Sequence, residues 1–492
     1  NGEAFREYTE IFQFANPNIE LEYVQTTDQS RYYYYTAPAN DEEQVDPLEA
    51  LKEAMTGPTP PDVIMVQYEH LPQLINDNLL VSLDELITQE DNFNVEDFVP
   101  AVIDGLREQG NGILYALAPN FFSSAVIYNK QLFTQQSVEF PQDNMTWQEM
   151  FDLARRVTVV DEDNPVYGFS FNTYYGGGPY DLFYNMSTYT APLGLSWIDA
   201  DNLQMTANTP RWQSVWETFI NLYNEGVFPQ ERDHSRQREF GPLDHDIFLS
   251  GRAAMAVVHY GYLNEVINAN RNADRIDNFE AIEWDVVTMP THPEEPGVGA
   301  NISYQGIFAI NANAENPEDA WEFIKFVNGE DWARTKSESS YNLMSRKSYI
   351  KPKEGLDYNI EAFMMLSPPK YANNEMVLYE KLRDYWQVQS IGQQKFIEAL
   401  NEEKSIELAL QEWETEGQMM IQQILDQQNS QGEDEFSALS EEKRRIMEAA
   451  GEIPMIDDVE VEVDVDDSAG EASGDGGTDE ADSDETGETD EE

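Results

Sequence analysis

Three rings at helical spacing open the chain. Phe5, Tyr8 and Phe12 share one face of residues 3–14, and Asn16-Pro17-Asn18 stops the pattern. IELEYVQ (19–25) then alternates Ile19, Leu21 and Tyr23 with Glu20, Glu22 and Val24, an alternation that predicts a strand. Leu48, Leu51 and Met55 predict a helix over about 47–55. GPTPP (57–61) breaks it, and DVIMV (62–66) follows as a short buried strand. Leu71, Leu74 and Ile75 predict the next helix. Helix, strand, helix, strand, helix implies an α/β layer sandwich with a parallel sheet. A strand normally opens such a sheet, and here a helix comes first.

From residue 115 the chain reads YALAPNFFSSAVIYNKQLF, with strand-like apolar runs at 115–118 and 125–128 flanking Pro-Asn-Phe-Phe-Ser-Ser. Thr146 and Glu149 form a T-x-x-E capping box for a helix with Trp147, Met150, Phe151 and Ala154 on one side. YGFSF (167–171) is a predicted strand and NTYYGGGPY (172–180) a Gly-rich loop. Trp212, Val215, Trp216 and Phe219 mark a helix over 211–225. FLSGRAAMAVV (248–258) predicts a helix end running into a strand, and WDVVTMP (284–290) and YQGIFAI (304–310) predict two more. Asn316-Pro317 supplies an N-cap and first-turn proline for a helix over 317–327. Ile406, Leu410, Trp413, Met420 and Ile424 line one stripe of a helix over about 402–427.

At 492 residues the chain exceeds the roughly 250–300 residues at which a single core stops growing, so two lobes are expected. Cysteine is absent, which excludes disulfides, thiolate metal sites and cysteine nucleophiles. No apolar run approaches the ~20 residues that span a bilayer. Charge changes the picture most. Lys and Arg number 29 against 94 Asp and Glu, a net −65. Residues 457–492 hold 18 of the acids and no base, and removing those 18 charges from −65 leaves −47 on the rest. Such a surface repels nucleic acid and anionic lipid. High salt would relieve its self-repulsion, so a halophilic or haloalkaliphilic source is expected. The tail from about Asp457 is too charged to bury anything and is expected to be disordered.

Signatures of chemistry are missing. The five histidines have no metal-ligand spacing, and the neighbours His245 and Asp246 read as a solvated surface pair. Neither G-x-S-x-G nor a phosphate-binding glycine loop occurs, and no cofactor or metal is expected. With 94 acids, carboxylate pairs carry no information about a glycosidase. Trp147, Trp216, Trp321 and Trp413 fall on helix faces and read as core. Loop aromatics such as Phe121-Phe122, Tyr174-Tyr175 and Tyr260 with Tyr262 suit the stacking of sugar rings, and equally suit packing under loops. The quartet Tyr32 to Tyr35 reads as surface packing.

Six stretches in order resemble the extracellular solute-binding proteins (family 1) of sugar-type ABC importers. They are PPDVIMVQYEHLPQLINDNLLVSLDELI (60–87), ILYALAPNFFSSAVIYNKQLF (113–133), TWQEMFDLARRVT (146–158), FLSGRAAMAVV, NPEDAWEFIKFVNG (316–329) and NLMSRKS (342–348). The resemblance implies an α/β, two-lobed periplasmic-binding-protein-like (type II) fold with crossing hinge strands and a ligand cleft. Lobe 1 would comprise 1–120 and 286–330, its first strand lying upstream of this chain. Lobe 2 would comprise 125–285 and 331–430, followed by a linker and short helix over 431–456 and the disordered acidic tail.

Carried over residue by residue, the resemblance implies ligand contacts at Tyr68, Glu69 and His70 in the loop after the P-D-V strand, and at Phe122 in the crossover with Asn120 and Ser124 beside it. It also implies Tyr175 in the Gly-rich loop, Tyr260 and Tyr262 after the AAM strand, and Tyr304 and Gln305 at the cleft rim. The implied function is that of a monomeric extracellular binding subunit. It would be anchored through a lipid upstream of this chain, and would carry a carbohydrate to a permease and its ATPase subunits without chemistry. The alternatives are a binder of another solute, such as a peptide, polyamine or osmolyte, and a polysaccharide-active enzyme.

Overall fold

The computed structural model describes residues 2–26, 46–161, 164–174, 178–230, 243–337, 341–369, 378, 381–382 and 384–451. The quartet at 32–35 and the acidic tail at 457–492 lie outside the described residues. The chain divides into two compact units, Asn1–Gln431 and Gly432–Glu492, and every strand among the described residues belongs to the first.

The strands are β1 (Val63–Val66), β2 (Ala116–Leu117), β3 (Asn120–Phe122), β4 (Ser124–Asn129), β5 (Ile198–Asp199), β6 (Gln204–Met205), β7 (Met255–His259), β8 (Trp284–Thr288), β9 (Ser303–Gln305), β10 (Ile307–Ile310) and β11 (Leu343–Met344). The first lobe's sheet has the order β1-β10-β2, and the second lobe's has β7-β4-β8. Between them lies a three-stranded sheet, β11-β3-β9, made where the chain crosses from lobe to lobe. One crossing runs β2, β3, β4, and the return runs β8, β9, β10.

Every ladder joining these strands is antiparallel, where the sequence pattern implied a parallel sheet. β1 and β2 do run the same way, but the returning β10 lies between them and pairs with both, Val63 opposite Ile310 and Leu117 opposite Phe308. IELEYVQ is not a strand and joins no ladder of the described strands. Ile19 and Leu21 pack on the core while Glu20 and Glu22 face water, and the Tyr23 ring lies 5.1 Å from Phe5. The alternation therefore marks which side of an extended segment meets the core. YGFSF instead runs parallel to β7 and the residues just before it, bridging Tyr167 to Ala253 and Ser170 to Ala256.

β4 is buried on both faces, as its unbroken apolar run requires. Ala125 and Ile127 enter one hydrophobic cluster and Val126 and Tyr128 the other, the two-residue period of a strand. The first cluster also holds Phe12, Leu74, Leu106 and Phe308. The second holds Trp147, Trp216 and Trp413 of the tryptophans read from the sequence as core, and Trp321 lies in the first. Trp413 packs among Trp197, Trp212, Trp216 and Phe183, with its Nε1 donating to the Val388 carbonyl at 3.0 Å.

Local signals are realised where the partner is near in sequence. The Trp147–Val157 helix carries both halves of its capping box, with Glu149 N donating to Thr146 Oγ1 and Thr146 N donating to Glu149 Oε2. Asn316 occupies the N-cap position of the Pro317–Val327 helix, but its side chain donates to Asp62 instead of capping. Divisions at 286 and 331 do not follow the packing. β8 pairs with β4, Trp332 stacks on Tyr8 at 5.7 Å, and Arg346 donates to the carbonyls of Asn94 and Asn328. The chain passes back through the middle sheet at β9 and joins the first lobe's sheet at β10.

Candidate functional site

The middle sheet floors a cleft of about 1210 Å³ whose walls come from both lobes. The first lobe contributes the turn after β1. There Gln67 to His70 leave the strand as a single 3₁₀ turn, with Tyr68 and Glu69 facing the cleft. The Tyr68 hydroxyl donates to the Gly105 carbonyl at 3.0 Å and accepts from Gln109 Nε2 at 2.7 Å. Tyr304, on β9, donates to the Ala101 carbonyl at 2.7 Å, and its ring meets Tyr68 edge-on at 5.1 Å. Both phenols are therefore bound to the Pro100–Gln109 helix, and what the pair offers a ligand is ring surface. Burial pushes Tyr68 up to about 12 and Tyr304 further, so both are neutral. Gly105 makes this approach possible, because a Cβ there would meet the Tyr304 hydroxyl at 2.0 Å.

At the crossing, Phe122 and Ser124 face the cleft. The Phe122 ring lies 5.7 Å from His259, the residue opposite Ser124 in the β4–β7 ladder. Burial, with Lys353 as the second cause, holds His259 below the ordinary histidine value, favouring the neutral ring.

The second lobe supplies Asn172 to Tyr174, the turn at 245–249, Tyr262 and the Leu263–Arg271 helix. Asp246 organises this wall. Its Oδ1 accepts from Phe248 N at 2.9 Å and Leu249 N at 2.8 Å, and its Oδ2 accepts from the Tyr262 hydroxyl at 2.7 Å. Burial outweighs these donors and raises the Asp246 pKa. Asp246 and His245 are thus no solvated pair. Asp246 is buried as the wall's hydrogen-bond centre, while His245 is exposed at the cleft.

Of the residues singled out from sequence, the cleft brings together Tyr68, Glu69, Phe122, Ser124, Tyr262 and Tyr304. Four others do not line it. His70 is buried ahead of the Leu71–Asn76 helix. Asn120 is buried toward Tyr8, whose hydroxyl donates to it at 3.5 Å. Tyr260 is buried against Phe363 with Lys353 Nζ 4.2 Å over its ring. Gln305 faces outward and accepts from Asn342. In each case sequence spacing located the segment, but the direction of the side chain depends on what packs behind it. Tyr175 lies outside the described residues.

The sequence reading missed His259, Glu265, Asn268, Ser303 and Tyr341 as lining residues. Proximity to the AAM strand and to YQGIFAI could have flagged His259 and Ser303. Tyr341 follows a polar run with no motif of its own. Glu69 receives no hydrogen bond from any described residue, and no Lys or Arg is found among the described lining residues. The wall is therefore aromatic surface, amides, hydroxyls and a few carboxylates. Among the described residues no His/Asp/Glu group has metal-binding geometry.

The model of a family described as "Bacterial extracellular solute-binding protein" matches residues 1–334. Among solved structures, an extracellular solute-binding protein family 1 from Alicyclobacillus acidocaldarius is 16% identical with a TM-score of 0.55, covering 85% of this chain and 95% of its own. The sugar-binding protein MalE from Xanthomonas citri is 16% identical with a TM-score of 0.54, covering 86% and 95%. A sugar transporter from Rhizobium etli, in an open conformation, is 17% identical with a TM-score of 0.53, covering 85% and 95%. No curated protein matches. At such identities the structural likeness establishes the fold.

Proposed function

The chain belongs to the bacterial extracellular solute-binding proteins of ABC importers, and from that membership we propose that it captures a carbohydrate, an oligosaccharide, in the interlobe cleft and hands it to the membrane permease without turning it over. The observation that carries the sugar reading is the lining. The ring of Phe122 and the exposed rings of Tyr174 and Tyr341 stand beside Asn172, Asn268 and Ser303, with no described Lys or Arg among them. Rings stack on the apolar faces of pyranoses while amides, hydroxyls and Glu69 bond the hydroxyl edges. An anionic ligand would meet Glu69 and Glu265 with no cation to pair with. A neutral one meets no such penalty.

Binding works through closure. A ligand touching both lobes can shift the open–closed equilibrium only by its difference in affinity for the two forms. Moving from 1:99 to 99:1 needs about 5.5 kcal/mol. On this reading Phe122, at the crossing, and Tyr68 and Tyr262, on opposite walls, would complete their ligand contacts on closure; all three line the cleft.

A cationic solute is the second reading, favoured by the same acids and by rings that accept a cation on their faces. Calorimetry against neutral oligosaccharides tests the first reading. A heat of binding that survives Glu69→Gln with less than about fivefold loss supports a sugar. Absence of binding across malto-, cello- and xylo-oligosaccharides removes it. Loss of a hundredfold or more for a polyamine or betaine on Glu69→Gln would establish the cationic reading instead.

A further inference from the structure

Among the described residues five tyrosines are exposed, and four of them are Tyr174, Tyr180, Tyr184 and Tyr341, at 75%, 59%, 44% and 68% exposure. Tyr174 and Tyr341 line the cleft. Tyr180 and Tyr184 do not; they stand on the Pro179–Thr190 helix, outside it. Successive helix residues turn by about 100°, so Tyr180, Tyr184 and Ser187 fall within a sector of about 60°. Ser187, and Ala191 just past the helix end, line the cleft. The stripe that reaches the cleft at Ser187 thus continues toward the helix N-terminus as two exposed rings, the nearer about 4.5 Å along the axis and the farther about 10 Å.

Two features set this face apart from ordinary scattered surface aromatics. First, the helix reads PYDLFYNMSTYT, with Asp181 its only charged residue, in a chain that is 25% charged. On so acidic a molecule this is a neutral strip. Second, it adjoins the cleft: Tyr180 and Tyr184, about 6 Å apart along the axis, share their sector with the lining residue Ser187. A neutral, ring-bearing strip continuous with the cleft fits a ligand that is itself neutral and longer than the cleft.

We propose that Tyr180 and Tyr184 form an external stacking track on which the protruding units of an oligosaccharide rest while its inner end occupies the cleft. The inference rests on the carbohydrate reading above and adds that the chain selects long oligomers over short ones. It also makes these two residues determinants of length preference, and not of sugar identity.

The test is calorimetry on the full chain in molar NaCl, with two-unit and six-unit members of whichever malto-, cello- or xylo-oligosaccharide series binds. Wild type should bind the six-unit ligand more tightly. The double variant Tyr180→Ala with Tyr184→Ala should weaken the six-unit ligand roughly tenfold, two stacked rings being removed. The two-unit ligand should change less than about twofold. Tyr180→Phe with Tyr184→Phe keeps the rings and should restore most of the difference, which also separates lost stacking from misfolding. Equal effects on both lengths, no effect on either, or a Phe variant as weak as the Ala one would overturn the track while leaving the cleft reading intact. Failure of wild type to bind any member would overturn both together.

Discussion

Asp246 gives the sharpest test of how this structure builds its ligand wall. Asp246→Ala leaves two buried backbone N–H groups and the Tyr262 hydroxyl without their shared acceptor. Each unsatisfied buried group costs about 1–3 kcal/mol, and water from the adjacent cleft will recover part of that, so a net loss of about 3–5 kcal/mol is expected. Asp246→Asn is nearly isosteric. Its carbonyl oxygen keeps both backbone donors, and its amide can donate to the Tyr262 oxygen while the phenol turns toward Thr173. It should cost within about 1 kcal/mol at neutral pH. The carboxylate also carries a pH signature of unusual sign. Its folded-state pKa is raised by burial above the ordinary 3.8. This acid therefore favours the folded state most below 3.8, and that contribution is lost as pH rises through the folded value. The Asn variant lacks that slope. Urea unfolding at fixed high salt, read by tryptophan fluorescence from pH 4 to 8, measures both effects. Equal losses for Ala and Asn, or an unchanged pH slope in Asn, would refute the view that Asp246 acts as an acceptor centre.

Three further outcomes follow from the packing. Gly392→Ala drives a Cβ to 2.2 Å from the Trp413 ring, which the surrounding aromatics hold in place, so a loss of about 1–3 kcal/mol is expected in thermal melts. A melt unchanged from wild type would mean that Trp413 is not rigidly packed. Arg346 is buried between the Phe93 and Phe98 rings, 5.1 and 4.6 Å from its guanidinium, and donates to two backbone carbonyls near Asp97. Arg346→Met should cost about 3–5 kcal/mol, and Arg346→Lys should recover only part of it, as measured by urea midpoints. With a net charge of −65, raising NaCl from 0.1 to 1 M shortens the screening length from about 10 to 3 Å. The melting temperature should rise, and a falling one would argue against adaptation to salt.

Much of the candidate site was legible as segments. The P-D-V turn, the crossing at Phe122 and the stretch after the AAM strand all border the cleft. Within those segments the facing was not legible. Tyr260 and Tyr262 are two residues apart in one 3₁₀ turn, yet one lies under Lys353 and the other lines the cleft. Local periodicity cannot choose between them, because the choice is made by Phe363 and Lys353 from about a hundred residues away. The outward pair Tyr180 and Tyr184 had a helical spacing open to inspection, but nothing in the sequence placed Ser187 at the cleft.

The sequence by itself determined what depends on neighbours a few residues apart. It specified the helices at 47–56, 147–157, 210–224 and 317–327, the T-x-x-E cap, the tryptophan faces that became core, the doubly buried strand at β4, and a strongly negative charge. Only the tertiary structure decided what depends on distant pairing. It set β10 between β1 and β2, left IELEYVQ without a ladder, and made Asp246 a buried acceptor instead of a surface acid. The reason is one of range. Capping and amphipathicity are satisfied within a turn or two, whereas strand order and side-chain facing depend on which distant segment completes the hydrogen bonds and fills the space behind.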